Sequence, residues 1–484
     1  MSTRSNLLIA NTLVLAAACG GPLDDAPEVA SSTSPLYIDD GLLWRTGVVP
    51  VCWENGTSND ATERGWVRSA IENTWEKETA LNFVGWGACH EDSRGVRILI
   101  DEDTPHTEEL GTDLDGECEG MVLNFTFRDW SPGCADPGSR ESCIRSIAVH
   151  EFGHALGFAH EQNRPDTPGW CDEEQGHDGT ETFGAWDLDS VMNYCNPRWN
   201  NGGRLSATDI AGAQAYYGVP NDGQRVIRQV PISEYQAVFE DFVAEGYRPT
   251  WVDVSSLPFL GVNFPYVNAI FTRGSPYPWR ADHGMDQAAY EARVADMRAR
   301  GFRLTHVDAY LDGTQLRYAT LFEQKSGSAW LEYHAVSVSV HNSLYSAFAR
   351  SGYRPVNLVF TRTSSGLVVT ALWDQTAVGG FAAWSGLSPS EYQAEYQRQA
   401  AAGRHIAYLD GYQDNGPRIS AIWNATSVSN LSARHGAFLG SYQEQHIAQT
   451  AAGRLLRVTT AYPDGLLLRF AGMWSAPTIG FTRL

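Results

Sequence analysis

The sequence is poor in positive charge. It contains 35 lysine and arginine residues against 57 aspartate and glutamate residues, which gives a net charge of −22 at pH 7. Such an excess of negative charge repels the phosphates of nucleic acid. Nucleic acid is therefore not expected as a partner of this chain.

The sequence also lacks an apolar run long enough to cross a membrane. Residues 7–18 are mostly apolar, but they are too few to span a bilayer. They follow Arg4 and end in the small residues Ala16 and Ala18, an order typical of a signal peptide cleaved after residue 18. Cys19 then resembles the lipidated cysteine of bacterial lipoproteins. We predict a signal peptide over residues 1–18, a tether over residues 19–38, and an exported protein that is extracellular or attached to the outer membrane by a lipid.

Cysteine is absent after Cys195, although seven cysteines lie between residues 52 and 195. This crowding predicts a disulfide-stabilised domain in an oxidising compartment, with one thiol left unpaired because the number is odd. We expect Cys171 to pair with Cys195, because the two residues bracket a loop close to the histidine motif described next.

The stretch HEFGHALGFAH, residues 150–160, places three histidines at fixed offsets. His150 and His154 are separated by just over one helical turn, so on a helix they project from the same face and can bind one cation. Glu151 points to a different edge of the helix, where its carboxylate can reach a metal-bound water.

A third ligand must come from beyond this helix. Gly157 suits the left-handed turn that ends a helix, and His160 can then fold back toward the first two histidines. Three neutral imidazoles and a water form the open four-coordinate site typical of catalytic zinc, and we predict one Zn²⁺ per chain. The alternative is a structural histidine cluster without catalysis, which has little need for Glu151.

The histidine motif, followed by SVMNY at residues 190–194, resembles the metzincin zinc proteases, and astacins in particular. The resemblance covers about residues 43–218. It implies an α+β catalytic domain over residues 39–220, with a twisted mixed sheet, an active-site helix and a C-terminal subdomain across a cleft. Residues 205–218 resemble the closing helix that matrixins also have.

The same resemblance assigns roles to further residues. Met192 corresponds to the methionine of the Met-turn beneath the metal, and Tyr194 to the tyrosine that stabilises the oxyanion. Glu151 corresponds to the general base that takes a proton from the zinc-bound water. The implied activity is a zinc endopeptidase that hydrolyses protein or peptide substrates.

An acidic loop separates two predicted strands, at residues 96–101 and 121–127. It contains nine acidic residues: Asp101, Glu102, Asp103, Glu108, Glu109, Asp113, Asp115, Glu117 and Glu119. A solvated loop is the favoured interpretation. Ca²⁺ is the alternative ligand, since calcium prefers clustered oxygen ligands, although no EF-hand pattern is present.

The second half of the chain contains an internal repeat. Aromatic residues in short strands recur every 50 or 51 residues, and glycines such as those of two GYRP motifs recur nearly in step. The aromatic positions are Phe271, Phe322, Trp373, Trp423 and Trp474. We predict five tandem units over residues 228–484, each a helix followed by two strands, which bury their apolar faces by stacking on one another.

These units resemble tandem-repeat modules of about fifty residues in bacterial and fungal secreted proteins. Their period is close to that of kelch propellers, but the helix in each unit argues against a propeller. The helix of the third unit, around residues 341–352, is expected to be shortened. The recurring His283, His334 and His435 are interpreted as structural or surface-binding rather than as metal ligands.

Taken together, these features predict a secreted or surface-tethered zinc endopeptidase whose repeats bind substrate or a surface. The rival hypothesis is an adhesion protein in which the repeats act and the protease domain is vestigial.

Overall fold

A computed structural model describes residues 36–171, 175–426 and 428–477. The predicted signal peptide, Cys19 and nearly all of the predicted tether lie outside these residues. Within them, no helix is both long enough and apolar enough to span a membrane. The described chain forms an N-terminal domain, residues 36–218, and a repeat ring, residues 224–475.

The N-terminal domain is built on a five-stranded sheet in the order β3-β2-β4-β6-β5, in which only β5 runs antiparallel to its neighbour. Its strands are β1 (Leu36–Ile38), β2 (Val48–Trp53), β3 (Asn82–Ala88), β4 (Val96–Ile100), β5 (His106–Thr107), β6 (Met121–Leu123) and β7 (Glu181–Phe183). Its helices are α1 (Ala61–Glu72), α2 (Trp75–Glu78), α3 (Pro132–Ala135), α4 (Arg140–Ala155) and α5 (Ala207–Tyr217).

The core of this domain lies between the sheet and α4. Phe152 of α4 stacks on Trp86 with ring centroids 5.7 Å apart and meets Phe83 edge-on at 5.3 Å. Burying one large apolar side chain stabilises the fold by about 1.5–3 kcal/mol, so this aromatic contact fixes α4 against the sheet. Trp75 Nε1 also donates to Val149 O at 2.8 Å, which ties the middle of α4 to α2.

The folded domain begins slightly before the predicted boundary at residue 39. Strand β1 pairs antiparallel with β7, and its Leu36 and Ile38 are fully buried. Leu36 and Ile38 therefore belong to the core rather than to a tether. At the other end, α5 begins with a capping box between Ser206 and Asp209 and coincides with the predicted closing helix.

In the described part of the chain, the repeat region forms five three-stranded sheets, each with one helix of 13 residues. The first three units are β8 (Gln224–Pro231), α6 (Ile232–Ala244), β9 (Tyr247–Phe259), β10 (Val262–Arg273); β11 (Trp279–Met285), α7 (Gln287–Ala299), β12 (Arg303–Asp312), β13 (Gln315–Glu323); and β14 (Trp330–Ser337), α8 (Val338–Arg350), β15 (Arg354–Thr363), β16 (Gly366–Asp374). The last two are β17 (Phe381–Leu387), α9 (Pro389–Ala401), β18 (His405–Gln413), β19 (Pro417–Asn424); and β20 (Ser432–Ala437), α10 (Leu439–Ala451), β21 (Leu455–Asp464), β22 (Leu467–Ser475).

Two expectations about the unit were wrong. The predicted helix-strand-strand unit lacked a strand that precedes the helix. This opening strand pairs with the last strand of its unit, so the last strand lies in the middle of the sheet. The helix of the third unit is not shortened, because Ser337 caps it by accepting a hydrogen bond from Val340 N and the helix begins at Val338. The five repeated aromatic side chains are all buried on the central strands.

The units close into a ring, as the blades of a propeller do. The inner strands β9, β12, β15, β18 and β21 each contact the next, and β21 contacts β9. Side chains on inner strands bond the backbone of neighbouring inner strands: Asp308 Oδ2 accepts from Val254 N at 2.6 Å, Asp410 Oδ2 from Phe360 N at 3.2 Å, and Asp253 Oδ2 from Ala461 N at 3.1 Å. The helix in each unit therefore did not exclude a propeller-like ring, because it packs on its own sheet and leaves the inner strand free to meet its neighbours.

A recurrent histidine contact joins one unit to the next at three seams of the ring. The ring of His283 lies 5.0 Å from Tyr235, the fourth residue of the preceding helix, and its Nε2 hydrogen-bonds Gln236 Oε1 at 2.9 Å. Two further seams repeat it: His334 with Tyr290 and Glu291, and His435 with Tyr392 and Gln393. The recurring histidines thus have partners in the neighbouring unit. We call their place in the sheet the clasp position.

The ring packs directly on the N-terminal domain. Val48 and Val84 of the five-stranded sheet share a hydrophobic cluster with residues of the first repeat unit. Asp241 Oδ2 of α6 accepts a hydrogen bond from Gly85 N at 2.6 Å, and Arg228 N of β8 donates to Thr46 O at 2.8 Å. The two parts are therefore joined by apolar packing and by hydrogen bonds.

Candidate active site

Helix α4 and the turn after it bring the three predicted histidines together. His150 and His154 lie on the buried face of the last turns of α4, which ends at Ala155. Gly157 then adopts a φ of +89°, in the left-handed region that glycine occupies without steric cost. The chain reverses there, and His160 returns to the same face.

The ring nitrogens of the three histidines converge. His160 Nε2 lies 3.2 Å from His150 Nε2 and 3.1 Å from His154 Nε2. Among the described residues, 36–171, 175–426 and 428–477, this is the only group of three or more histidine, cysteine or acidic side chains with ligand atoms within 4.8 Å of one another. Such a spacing is what a single coordinated ion requires.

Each imidazole is oriented by its other nitrogen. The Nδ1 atoms lie 2.7–2.8 Å from backbone carbonyls, to which Nδ1–H can donate: His150 to Val191 O, His154 to Phe158 O and His160 to Gln175 O. This tautomer leaves every Nε2 lone pair directed into the cluster. Carbonyls of this kind are the usual outer partners of metal-binding histidines.

Burial favours the neutral, metal-binding form of all three rings. It lowers the pKa of His150 to about 3, and it also lowers the pKa values of His154 and His160, with further lowering of the first two by neighbouring histidines. Three neutral imidazoles match the donor set of a catalytic zinc site. The residues present therefore fit a zinc ion.

Glu151 is 4% exposed and lies on α4 between the first two histidines in sequence. Burial raises the pKa of its carboxyl to about 8, and its charge also contributes to raising the pKa of Tyr194. Glu151 and Tyr194 are therefore electrostatically coupled. A cation at the histidine cluster would offset the cost of burying the Glu151 carboxylate.

Tyr194 covers the histidine cluster. Its ring is stacked on His150, with centroids 5.1 Å apart, and lies 4.4 Å from the ring of His160. The residue is 40% exposed, so the tyrosine borders both the cluster and solvent. This places a phenol at the solvent-facing edge of the cluster.

Met192 is fully buried and packs on Gly153, a residue of α4 that sequence analysis did not single out. A Cβ on Gly153 would lie 2.3 Å from Met192 Sδ and 3.3 Å from the ring of Trp75. A glycine inside a helix lowers its stability by about 1 kcal/mol relative to alanine. The glycine inside the histidine motif could therefore have indicated a position where another residue packs closely.

Asp209 of α5 is a second residue that sequence analysis missed. Its Oδ1 accepts from Ser190 Oγ at 2.6 Å, and its Oδ2 accepts from Val191 N at 2.9 Å and from Ser206 N at 2.8 Å. Since Val191 O in turn orients His150, Asp209 connects the closing helix to a metal-binding ring. The sequence SATD at residues 206–209 predicts only a helix N-cap, and nothing in it indicates the contacts of Asp209 with Ser190 and Val191.

The predicted disulfide lies close in sequence to Gln175. Cys171 is bonded to Cys195, which confirms that pairing, and two further disulfides join Cys52 to Cys89 and Cys134 to Cys143. Within the described residues, Cys118 is the cysteine left unpaired, and it is exposed. The Cys171–Cys195 bond joins the loop of Gln175, whose carbonyl orients His160, to the residue that follows Tyr194.

The acidic loop forms a separate cleft of about 480 Å³, lined by Glu108, Glu109, Asp113, Glu117, Cys118 and Glu119. Within the described residues, its carboxylates do not converge as the three histidines do. The structure therefore gives no support to the alternative of a calcium site.

Comparisons with known proteins agree with the two parts of the fold. A sequence model described as Astacin, a peptidase family, matches residues 139–172, and one described as Polyglycine hydrolase-like, structural repeat matches residues 221–272, 276–325, 327–376 and 378–426. The fifth unit of the ring lies outside these matches.

Individual relatives match only parts of the chain. Protein SpAN of Strongylocentrotus purpuratus is 27% identical over 192 residues, which cover 36% of this chain and 28% of that protein. Zinc metalloproteinase nas-36 of Caenorhabditis elegans is 41% identical over 69 residues, 11% of each chain. The solved structure of myroilysin shares 19% identity with a TM-score of 0.28, and the match covers 37% of this chain and 97% of that one. The chain thus spans under a third of the length of its curated relatives, and around its histidine cluster it is similar to astacin-family zinc metalloproteases.

Proposed function

We propose that this protein is an exported zinc endopeptidase. The observation that carries the proposal is the convergence of His150, His154 and His160, with every Nδ1 directed to a carbonyl and every Nε2 directed to a common point. A purely structural histidine cluster has no need for three lone pairs that face one another. The adjacent Glu151 adds a buried carboxyl group suited to proton transfer.

The roles of the residues follow from their positions. A zinc ion held by the three Nε2 atoms would polarise a peptide carbonyl and lower the pKa of a bound water. Glu151 accepts the proton of the attacking water and then donates it to the leaving amine. The hydroxyl of Tyr194, at the exposed edge of the cluster, donates a hydrogen bond to the developing oxyanion.

We further propose how the chain reaches and holds its substrate. The N-terminal sequence supports export, and Cys19 supports attachment to a membrane through a lipid. The repeat ring, packed against the N-terminal domain, would then position substrate or bind a surface next to the catalytic cluster. Radiolabelled palmitate incorporated by the natural chain and absent from Cys19→Ala is the expected result for the lipid. Equal labelling of both chains would remove that part of the proposal.

The activity is tested with Glu151→Gln in the purified chain. We expect casein cleavage to fall by at least about 10²-fold, the usual contribution of a general base, while zinc content stays at one ion per chain. The matched control is Glu141→Gln, which changes an exposed glutamate at the start of the same helix and should leave cleavage intact. Undiminished cleavage by Glu151→Gln, or a natural chain without stoichiometric zinc, contradicts the proposal.

A further inference from the structure

The ring closes at a seam that differs from the others. At the remaining seams the clasp position holds His283, His334, Ser385 or His435, each followed by a residue with positive φ. At the closing seam, where β8 of the first unit meets α10 of the last, the same position holds Arg228, also followed by a residue with positive φ. The fold is the same, but an arginine, which is a permanent cation, replaces a histidine or a serine.

Arg228 is buried without a counter-charge. The residue is 2% exposed, and within the described residues it forms no ion pair with a carboxylate. Its Nη2 donates to Gln443 Oε1, in the same way that clasp histidines bond the residue after the helix tyrosine, and its Nε lies 3.4 Å from Arg45 O. Its Nη1 has no hydrogen-bond partner in the described part of the chain.

The guanidinium nevertheless keeps its charge. Burial lowers the pKa of Arg228 only to about 10, which is still well above neutral pH. A buried charge without a partner is among the most unfavourable features that a fold can contain, and such groups are normally paired with an opposite charge. The partner of Arg228 must therefore come from outside the described side chains.

A small cavity adjoins this guanidinium. It measures about 20 Å³, lies between the last turn of the N-terminal domain and α10, and has no acidic residue in its wall. Arg225, whose Nε is also buried and unpartnered, lines it together with Arg228. The carboxylate of Glu245, 3.5 Å from Arg225, compensates the charge of Arg225, whereas no carboxylate among the described residues pairs with Arg228.

The remaining polar wall of the cavity also offers hydrogen-bond donors. Trp474 Nε1 donates to His446 Nδ1 at 3.1 Å, so the neutral ring of His446 carries its proton on Nε2. Burial and the charge of Arg228 lower the pKa of His446 well below its ordinary value, which keeps the ring neutral. An arginine N–H group and a neutral imidazole N–H group thus line the same cavity.

We propose that this closing-seam cavity binds one small monovalent anion, and that this anion is chloride. The volume decides the class of ligand, because a cavity needs about 10–15 Å³ to hold one water-sized sphere. A cavity of about 20 Å³ is close in size to one halide ion and too small for a phosphate, carboxylate or peptide group. A water molecule fits the space but leaves the charge of Arg228 uncompensated.

The test measures thermal unfolding of the full chain in sodium chloride and in sodium gluconate at the same ionic strength of about 0.15 M. Gluconate is too large for the cavity, so only chloride should give a saturable rise in Tm, of about 2–4 °C. Crystals soaked in bromide should show an anomalous peak beside Arg228 Nη1. Equal Tm values in the two salts together with a water at that position would overturn the proposal.

Two variants separate anion binding from a general effect of salt. Arg228→His restores the clasp that three other seams use and should fold without dependence on chloride. Gln443→Glu places a fixed carboxylate against the guanidinium and should remove the dependence in a second way. The control Arg300→His removes an exposed positive charge and should respond to chloride as the natural chain does. Chloride dependence retained in both seam variants would contradict the assignment, and none of these outcomes depends on protease activity.

Discussion

Met192 Sδ lies so close to Gly153 that a Cβ on the glycine would come within 2.3 Å of the sulfur. The segment that carries Met192 and helix α4 are therefore in contact at a point where no side chain fits. Because Gly153 stands one residue before His154, a shift of either segment would change the direction of one ring of the histidine cluster.

Replacing Gly153 by alanine should weaken the metal site. The methyl group would displace Met192 or tilt α4, and overpacking of this kind costs about 1–3 kcal/mol. We expect lower zinc affinity and lower casein cleavage, measured by chelator competition and by turnover. The matched control is Gly65→Ala in α1, where a Cβ meets nothing within 4 Å and should stabilise the chain by about 0.5–1 kcal/mol. Unchanged zinc affinity in Gly153→Ala would show that the contact is not required.

Tyr194→Phe should reduce turnover without loss of zinc. Removing one oxyanion donor commonly lowers kcat by about 10²-fold or more, while ground-state binding changes little. Tyr216→Phe is the control, because its hydroxyl lies on α5 and contacts Glu181 at 3.2 Å instead of the cluster. A fall in zinc content as large as the fall in kcat would assign Tyr194 to metal binding rather than to the transition state.

Loss of the Cys171–Cys195 disulfide should loosen the loop that orients His160. Removing a disulfide across 24 residues costs about 3 kcal/mol when the folded state is otherwise unchanged. We expect the double alanine variant to bind zinc more weakly, since Gln175 O would no longer be held against His160 Nδ1. Cys118→Ala changes only an exposed unpaired thiol and should match the natural chain in zinc affinity and unfolding midpoint.

The ring should lose stability as pH rises from about 4 to about 8. Burial raises the pKa of Asp253 to about 6 and, with the charge of Asp253, the pKa of Asp308 to about 8. A folded-state pKa above the unfolded value means that the stabilisation is complete at low pH and disappears as pH passes the folded-state pKa. The expected slope is up to about 1.4 kcal/mol per pH unit for each proton released.

This pH effect is measured by urea unfolding followed by tryptophan fluorescence at a series of pH values. Asp308→Asn should flatten the slope, whereas Asp312→Asn, which alters an exposed residue at the end of the same strand, should leave it unchanged. A slope that is the same in all three chains would show that Asp308 is already ionised in the folded ring.

Local patterns in the sequence predicted most of the candidate site. Helical spacing placed His150 and His154 on one face, glycine freedom at Gly157 brought His160 back, and the loop between Cys171 and Cys195 is closed as expected. The role of Asp209 could not be predicted, because it depends on a hydrogen bond with Val191, a residue about twenty positions away in the sequence. The need for glycine at position 153 could not be predicted either, because it depends on the side chain of Met192 that packs there.

The repeat ring shows a different limit of sequence reasoning. The aromatic period located the units, since each of these side chains is buried on a central strand. The opening strands were missed because each is interrupted by a residue with positive φ, as at Gly284, which breaks the regular alternation of a strand. Closure of the ring depends on contacts such as Trp251 Nε1 with Thr459 O at 2.6 Å, which join residues about 200 positions apart and leave no local pattern.

The closing seam also sets an order for assembly during synthesis. Helix α10 supplies Gln443 to Arg228, and Ile447 lies against Gly218 at the end of the N-terminal domain. Gln443 follows Arg228 by 215 residues, so the junction stays incomplete until the fifth unit has been made. A chain truncated before α10 would keep every metal-binding histidine and yet leave the inner edge of β9 without its neighbour β21, open to pairing with another polypeptide.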